Sequence, residues 1–242
     1  MSNGNEFPGK PSFTALGALS GKITEGLSKI MTKEQVTFWN KNENQDLLMK
    51  KVCEIFSLAD TYTAEREAWQ VFYKDHFGWD IDFSRVLIPM KPGDGWRLLL
   101  IAKGMTMNKA FARCKALFKT WQYLDDLDKA IPTNARTASD NYAVWVRDGI
   151  EPDQEHLGKS TFKVDPEMKI GITILERIIL EIKHFSETGK HLDIKGVTFC
   201  SGSHNSGGGV PYAFWHDGEF RVRWCRLDYS FSDGGVRSAV AL

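Results

Sequence analysis

The 242 residues carry 31 Lys and Arg against 31 Asp and Glu, and 42% of the chain is hydrophobic. A net charge of zero argues against a dedicated nucleic-acid binder, which needs a basic face to neutralise phosphates, though it leaves room for a local patch. The length supports one large domain or two small ones with a real core. Four scattered cysteines, Cys53, Cys114, Cys200 and Cys225, make neither a C-x-x-C pair nor a disulfide framework.

Met1 to Pro11 is polar and leads into no apolar h-region. No stretch approaches the roughly 20 apolar residues of a membrane span. The expectation is a reduced, cytoplasmic chain without a membrane span, with display on a surface or virion left open. Eight Trp, 15 Phe and six Tyr make 12% of the chain, and many of them fall in the last third. Aromatics there serve either a core or a binding surface.

Residues 1–31 read as a flexible tail. Leu16, Leu19, Ile23, Leu27 and Ile30 make one weak amphipathic stripe, interrupted by Gly17, Gly21 and Gly26, that would suit an oligomerisation or docking segment. Residues 32–85 read as a helical N-terminal region. Thr32 with Gln35 is a capping-box signature. The helix breaks around Asn40–Asn44 and resumes with Leu47, Leu48, Val52, Ile55 and Phe56 on one side. A second helix follows Thr63, carries Trp69, Phe72 and Tyr73, and stops at Gly78.

From residue 86 to 242 the texture is α+β. Val86-Leu87-Ile88 is a short apolar run, and Pro92-Gly93-Asp94-Gly95 is a turn. Trp96 to Ala102 reads as a buried strand. Thr106 caps a helix whose apolar residues recur from Ala110 to Trp121. Tyr142 to Val146 is a second strand. After a charged loop, Thr173 with Glu176 opens the most apolar helix of the chain, and Gly189 closes it. Both helices are expected to pack on a small antiparallel sheet.

The last third holds only short strands and turns. Val197 to Cys200 enters the Gly/Ser-rich loop Ser201–Gly209, and Val210 to Trp215 follows. Asp217-Gly218 marks a hairpin. Glu219 to Cys225 then alternates, which points Phe220, Val222 and Trp224 to the core and Arg221, Arg223 and Cys225 outward. Val236 to Leu242 reads as one terminal strand.

Catalytic and metal signatures are weak. Six histidines show no zinc spacing, and His184 and His191 suit a helix end better than a metal. The glycine-rich loop lacks the phosphate-binding order, and Ser203 and Ser206 sit in no nucleophile elbow. Cys200 with His204 has no evident orienting third group. Asp125, Asp126 and Asp128 match no calcium loop. No cofactor and no metal are expected.

Three segments carry a resemblance: Tyr142-Ala143-Val144-Trp145-Val146-Arg147-Asp148, Thr188-Gly189-Lys190-His191-Leu192-Asp193 and Cys200-Ser201-Gly202-Ser203. With the order strand, helix, strand, helix and hairpin, residues 86–242 resemble the C-type-lectin-type fold of the variable proteins of diversity-generating retroelements. Gly235-Val236-Arg237 stands where many of these carry a Gly-Phe-Arg type of ending. The resemblance implies a non-enzymatic ligand-binding protein. In that family a reverse transcriptase rewrites adenines near the 3′ end of the gene, and the altered residues line the ligand-binding face. Here that face would lie within about 199–242 and comprise His204, Asn205, Tyr212, Phe214, Arg221, Arg223, Arg226, Tyr229, Ser230, Phe231 and Ser232. Rings, arginines and small polar residues make a paratope-like mixture suited to a variable macromolecular ligand, most plausibly a protein. The alternative is a cysteine-dependent enzyme on a sulfatase-activating version of the same fold, which would require Cys200 and Cys225 to meet.

Overall fold

The computed structural model describes residues 20–21, 24–25, 31–39, 41, 44 and 62–242. The chain divides into two compact units, Met1–Ser57 and Leu58–Leu242. In the first unit, helix α1 (Lys33–Trp39) opens on the expected capping box. The Gln35 side chain accepts from the Thr32 amide at 2.9 Å, and Thr32 Oγ1 accepts from the Gln35 amide at 3.3 Å. The expected tail and the helix resuming at Leu47 fall almost wholly outside the described residues.

The second unit runs α2 (Thr63–Phe77), β1 (Trp96–Ile101), α3 (Met107–Leu117), β2 (Thr120–Gln122), α4 (Leu127–Ala130), β3 (Thr133–Asn134), β4 (Tyr142–Arg147), α5 (Thr161–Val164), α6 (Ile174–Thr188), β5 (Val197–Phe199), β6 (Ser203–His204), β7 (Val210–His216), β8 (Glu219–Cys225), β9 (Gly234–Val236) and β10 (Ala239–Val240). It is an α+β arrangement of several sheets and a few helices. Among the described residues, no helix is long and apolar enough to cross a membrane.

Helix α2 belongs to this unit, so the boundary read at residues 85 and 86 falls inside it. The reason is polar as well as apolar. Trp69 Nε1 donates to the Leu98 carbonyl at 3.2 Å, and the Tyr73 hydroxyl donates to that of Leu100 at 3.0 Å. Both rings are buried with Phe72, and each such side chain contributes about 1.5–3 kcal/mol. The Val86-Leu87-Ile88 run makes no strand. Val86 and Ile88 are instead buried from an irregular segment, which Trp145 pins by donating to the Pro89 carbonyl at 2.8 Å.

One sheet is antiparallel with strand order β1-β4-β10. The other has the order β2-β8-β7-β5-β9, and its outer pairs, β2 with β8 and β5 with β9, are parallel. The expected antiparallel sheet is therefore mixed. Helices α3 and α6 start where expected: Thr106 accepts from the Lys109 amide, and Thr173 and Glu176 form a full capping box. They pack together and cover the inner face of the five-stranded sheet, where Phe111 meets Phe220 at 6.2 Å between ring centroids.

The terminal strand is not continuous. Val236 ends β9 in one sheet and Ala239 starts β10 in the other, with the fully buried Arg237 between them. Its guanidinium donates to the carbonyls of Arg147, Gly149, Ile150 and Glu151 and to Asp193 Oδ1, at 2.7–3.3 Å. Asp193 also holds Arg177 (2.9 Å), which pairs with Glu181 at 2.8 Å. A buried charge persists only when paired in this way, and this network locks the crossing between the sheets.

Candidate functional site

The hairpin of β7 and β8 builds the surface. Asp217 and Gly218 form its turn with φ of 52° and 76°, the left-handed backbone that a tight hairpin requires. Residues directly opposite each other share a face. The register sets Tyr212 against Arg223, Phe214 against Arg221 and Val210 against Cys225. Strand β2 adds Trp121 beside Arg221, and β5 adds Phe199 beside Tyr212. All of these occupy the face turned away from α3 and α6.

That face is half covered. Residues 226–233 fold back over it, and Leu227 receives hydrogen bonds from the Phe162 amide (3.0 Å) and Thr161 Oγ1 (3.1 Å) of α5. Phe231 stacks on Phe199 at 5.6 Å and meets Tyr212 edge-on at 5.4 Å. Phe199, Val210, Tyr212 and Val236 thereby make a second, smaller core. Tyr212, expected outward, is only 6% exposed because this loop covers it. Phe214 and Phe231 are half-buried, whereas Arg223, Arg226, Tyr229, Ser230 and Ser232 are exposed. Tyr229 meets Phe231 edge-on at 5.0 Å.

A second correction concerns Trp224, which is 40% exposed rather than buried. Its alternation partners Phe220 and Val222 lie in the main core as expected. Trp224 comes at the end of the strand, opposite Pro211 and against the turn at Gly209. A β-carbon on Gly209 would come within 2.8 Å of the Trp224 ring, so the ring and the turn require each other.

The three arginines differ in their surroundings. Arg221 reaches Asp217 and Glu219, both at 3.3 Å. Arg226 reaches Asp228 at 3.2 Å. Arg223 has no ion pair or side-chain hydrogen bond among the described residues, and its guanidinium lies over the Trp121 ring at 5.6 Å. Trp121 continues to Tyr123 and Tyr123 to Trp224, each pair 6.2 Å between centroids. Trp121 is 41% and Tyr123 57% exposed. The sequence reading missed both residues: helical spacing absorbed Trp121 into the preceding helix, which in fact ends at Leu117. The signal that places it on the sheet is its long-range pairing with β8, which no local pattern carries.

His204 and Asn205 stand apart from this group. Strand β6 pairs with β3. Asn205 Oδ1 accepts from the amides of Gly207 (3.0 Å) and Gly209 (2.8 Å), so the side chain builds its own loop. His204 is half-buried, and burial pulls its pKa below the ordinary value.

The motifs behind the resemblance are structural in this unit. Tyr142 donates to Glu176 (2.9 Å), which also receives Arg136 (2.7 Å). His191 stacks on Trp215 with centroids 3.3 Å apart and contacts Glu181 at 2.9 Å. Ser201 donates to Asp165 (2.6 Å), and Ser203 donates to Asn134 (2.6 Å) while accepting from the Ile174 amide. The acidic cluster is also structural: Asp126 caps α4, and Asp128 accepts from the Met107 and Asn108 amides.

Cys200 lies in the main core, whereas Cys225 packs against the second, so the sheet separates the two thiols. Burial raises both, Cys225 to about 11. The arrangement required by the cysteine-enzyme alternative is not formed. No group of three His, Cys, Asp or Glu among the described residues is placed to hold a metal ion. Compared with protein-family models, curated proteins and solved structures, the chain matches none.

Proposed function

We propose that the chain is a non-enzymatic ligand-binding protein, a variable protein of a diversity-generating retroelement with a C-type-lectin-type domain. Its ligand-binding face is the outer side of β2, β8 and β7 with the loop that follows β8. One observation carries this reading: two exposed rings and a guanidinium, Trp121, Tyr123 and Arg223, lie with Tyr229 beside the loop-covered second core, on the side of the sheet away from the main core. Rigid aromatic rings and planar guanidinium groups lose little entropy on contact, which is why they dominate binding hot spots. A patch of this kind without a partner would be an aggregation liability.

The two-layer support divides the face into roles. Phe199, Phe220, Val222 and Tyr212 hold the sheet. Phe214, Arg221, Arg223, Arg226, Tyr229, Ser230 and Ser232 are the positions free to change. Sequencing the 3′ end of the gene across a natural population tests this directly. The expected result is substitution at adenine-bearing codons of the second group, with the first group constant. Changes spread evenly over both groups, or without adenine bias, reject diversification.

A further inference from the structure

We propose that the binding face engages a protein partner through a carboxylate seated on Arg223, beside the rings of Trp121 and Tyr123. This rests on the binding reading above and adds the chemistry of the partner. Of the three arginines on the face, Arg221 and Arg226 already have carboxylates from this chain. Arg223 has none among the described residues, and Trp121 supports its guanidinium at 5.6 Å. Contact of the flat group with an indole leaves its edge N–H donors free, in the fork geometry that matches a carboxylate.

The surroundings decide what fits there. A partner that covers Trp121 and Tyr123 strips water from Arg223 at the same time. A guanidinium desolvated without a counter-charge opposes binding strongly, so the partner must supply an anionic acceptor. Neutral hydroxyl groups would leave the charge uncompensated, and an amine would repel it. A polyanion such as nucleic acid would bring further phosphates toward Asp217, Glu219 and Asp228 on the same hairpin and loop. The chain as a whole has no net positive charge to offset them. A single Asp or Glu flanked by apolar side chains meets both the charge and the rings. Trp121 and Tyr123 come from β2, outside the C-terminal segment, so they are anchors that remain while the hairpin changes.

The test is the full chain on an array of immobilised random-sequence peptides, read at low and high salt. The expected bound set is enriched in Asp or Glu beside an aromatic or aliphatic residue, and it weakens with salt. Arg223→Gln lowers binding of that set about tenfold and erases the acidic enrichment, whereas Trp121→Ala weakens every bound peptide. Arg223 is exposed, so the thermal melt of Arg223→Gln should match the parent, and Trp121→Ala, at 41% exposure, should lower Tm by no more than about 2–8 °C. A bound set without acidic enrichment overturns the proposal, as does enrichment that survives Arg223→Gln. Absence of any bound peptide overturns it too, while diversification is judged separately by the sequencing result.

Discussion

Phe220 and Trp224 share one face of β8, yet their truncation should have very different costs. Phe220 is fully buried. Its ring meets Phe111 and Phe118, each at 6.2 Å, and lies 5.3 Å beneath the Arg177 guanidinium. Truncating such a ring costs about 3–5 kcal/mol through lost transfer energy and the cavity left behind. Loss of the contact with a desolvated arginine adds to that. Trp224 keeps 40% of its surface in water, so Trp224→Ala should cost about 1–2 kcal/mol. In a domain of this size 1 kcal/mol moves Tm by about 2–4 °C. Phe220→Ala should therefore lower Tm by about 6–20 °C and Trp224→Ala by about 2–8 °C, read by circular dichroism on matched samples. Equal losses, or a larger one for Trp224→Ala, would refute the assignment of Trp224 to the surface.

The buried carboxyls set an acid limit on stability. Burial alone would raise Glu176 and Glu181, but Arg136 beside the first and Arg177 beside the second hold both below the ordinary 4.5. A depressed folded-state pKa contributes stability that is present above the unfolded value and lost as pH falls through the folded one. Urea midpoints should thus be flat with respect to these two groups near neutrality and fall below about pH 4.5; a midpoint rising on acidification contradicts the assignment. Arg237→Met removes five hydrogen bonds from a buried site and should cost at least about 3 kcal/mol, measured by urea titration; a loss below about 1 kcal/mol would show that the crossing between sheets is held otherwise. With burial pushing Cys225 up to about 11 and Cys200 higher, neither thiol should react appreciably with iodoacetamide at neutral pH until urea is added. Peptide mass mapping of the labelled sites reads this, and rapid labelling of Cys200 or Cys225 in the native protein would overturn the burial of these groups.

Local physics made much of the fold legible from the sequence. The capping pairs at Thr32 and Thr173, the cap at Thr106, the glycines ending α2 and α6, and the Asp217-Gly218 turn all fall where the sequence puts them. Each is decided within a few residues by a hydrogen bond or a backbone angle. What local pattern did not decide was which face of a strand another segment covers. Alternation correctly pairs Tyr212 with the Arg223 side of the sheet, but it carries no information about the loop that returns to bury it. The same limit explains Trp224, whose alternation is right and whose cover stops one residue pair earlier. Arg237 reads only as part of a terminal strand until the carbonyls of residues 147 and 149–151 converge on it.

These misses have a common origin that bears on function. The segments behind the resemblance, around Tyr142, His191 and Ser201, close hydrogen bonds between distant elements and tolerate little change in chemistry. A β-carbon on Gly171 would collide with the Ser201 side chain, and one on Gly202 would come within 2.7 Å of the Gly171 carbonyl oxygen. The exposed group at Arg223, Arg226 and Tyr229 has no such constraints and so carries no motif. A binding face meant to vary should look like this: side chains whose replacement costs the fold little, on strands whose opposite side is packed without gaps. Under the proposed binding reading, the absence of a motif at the surface and the motifs beneath it are two consequences of one design. The first frees the contacts to change, and the second keeps the sheet in place while they do.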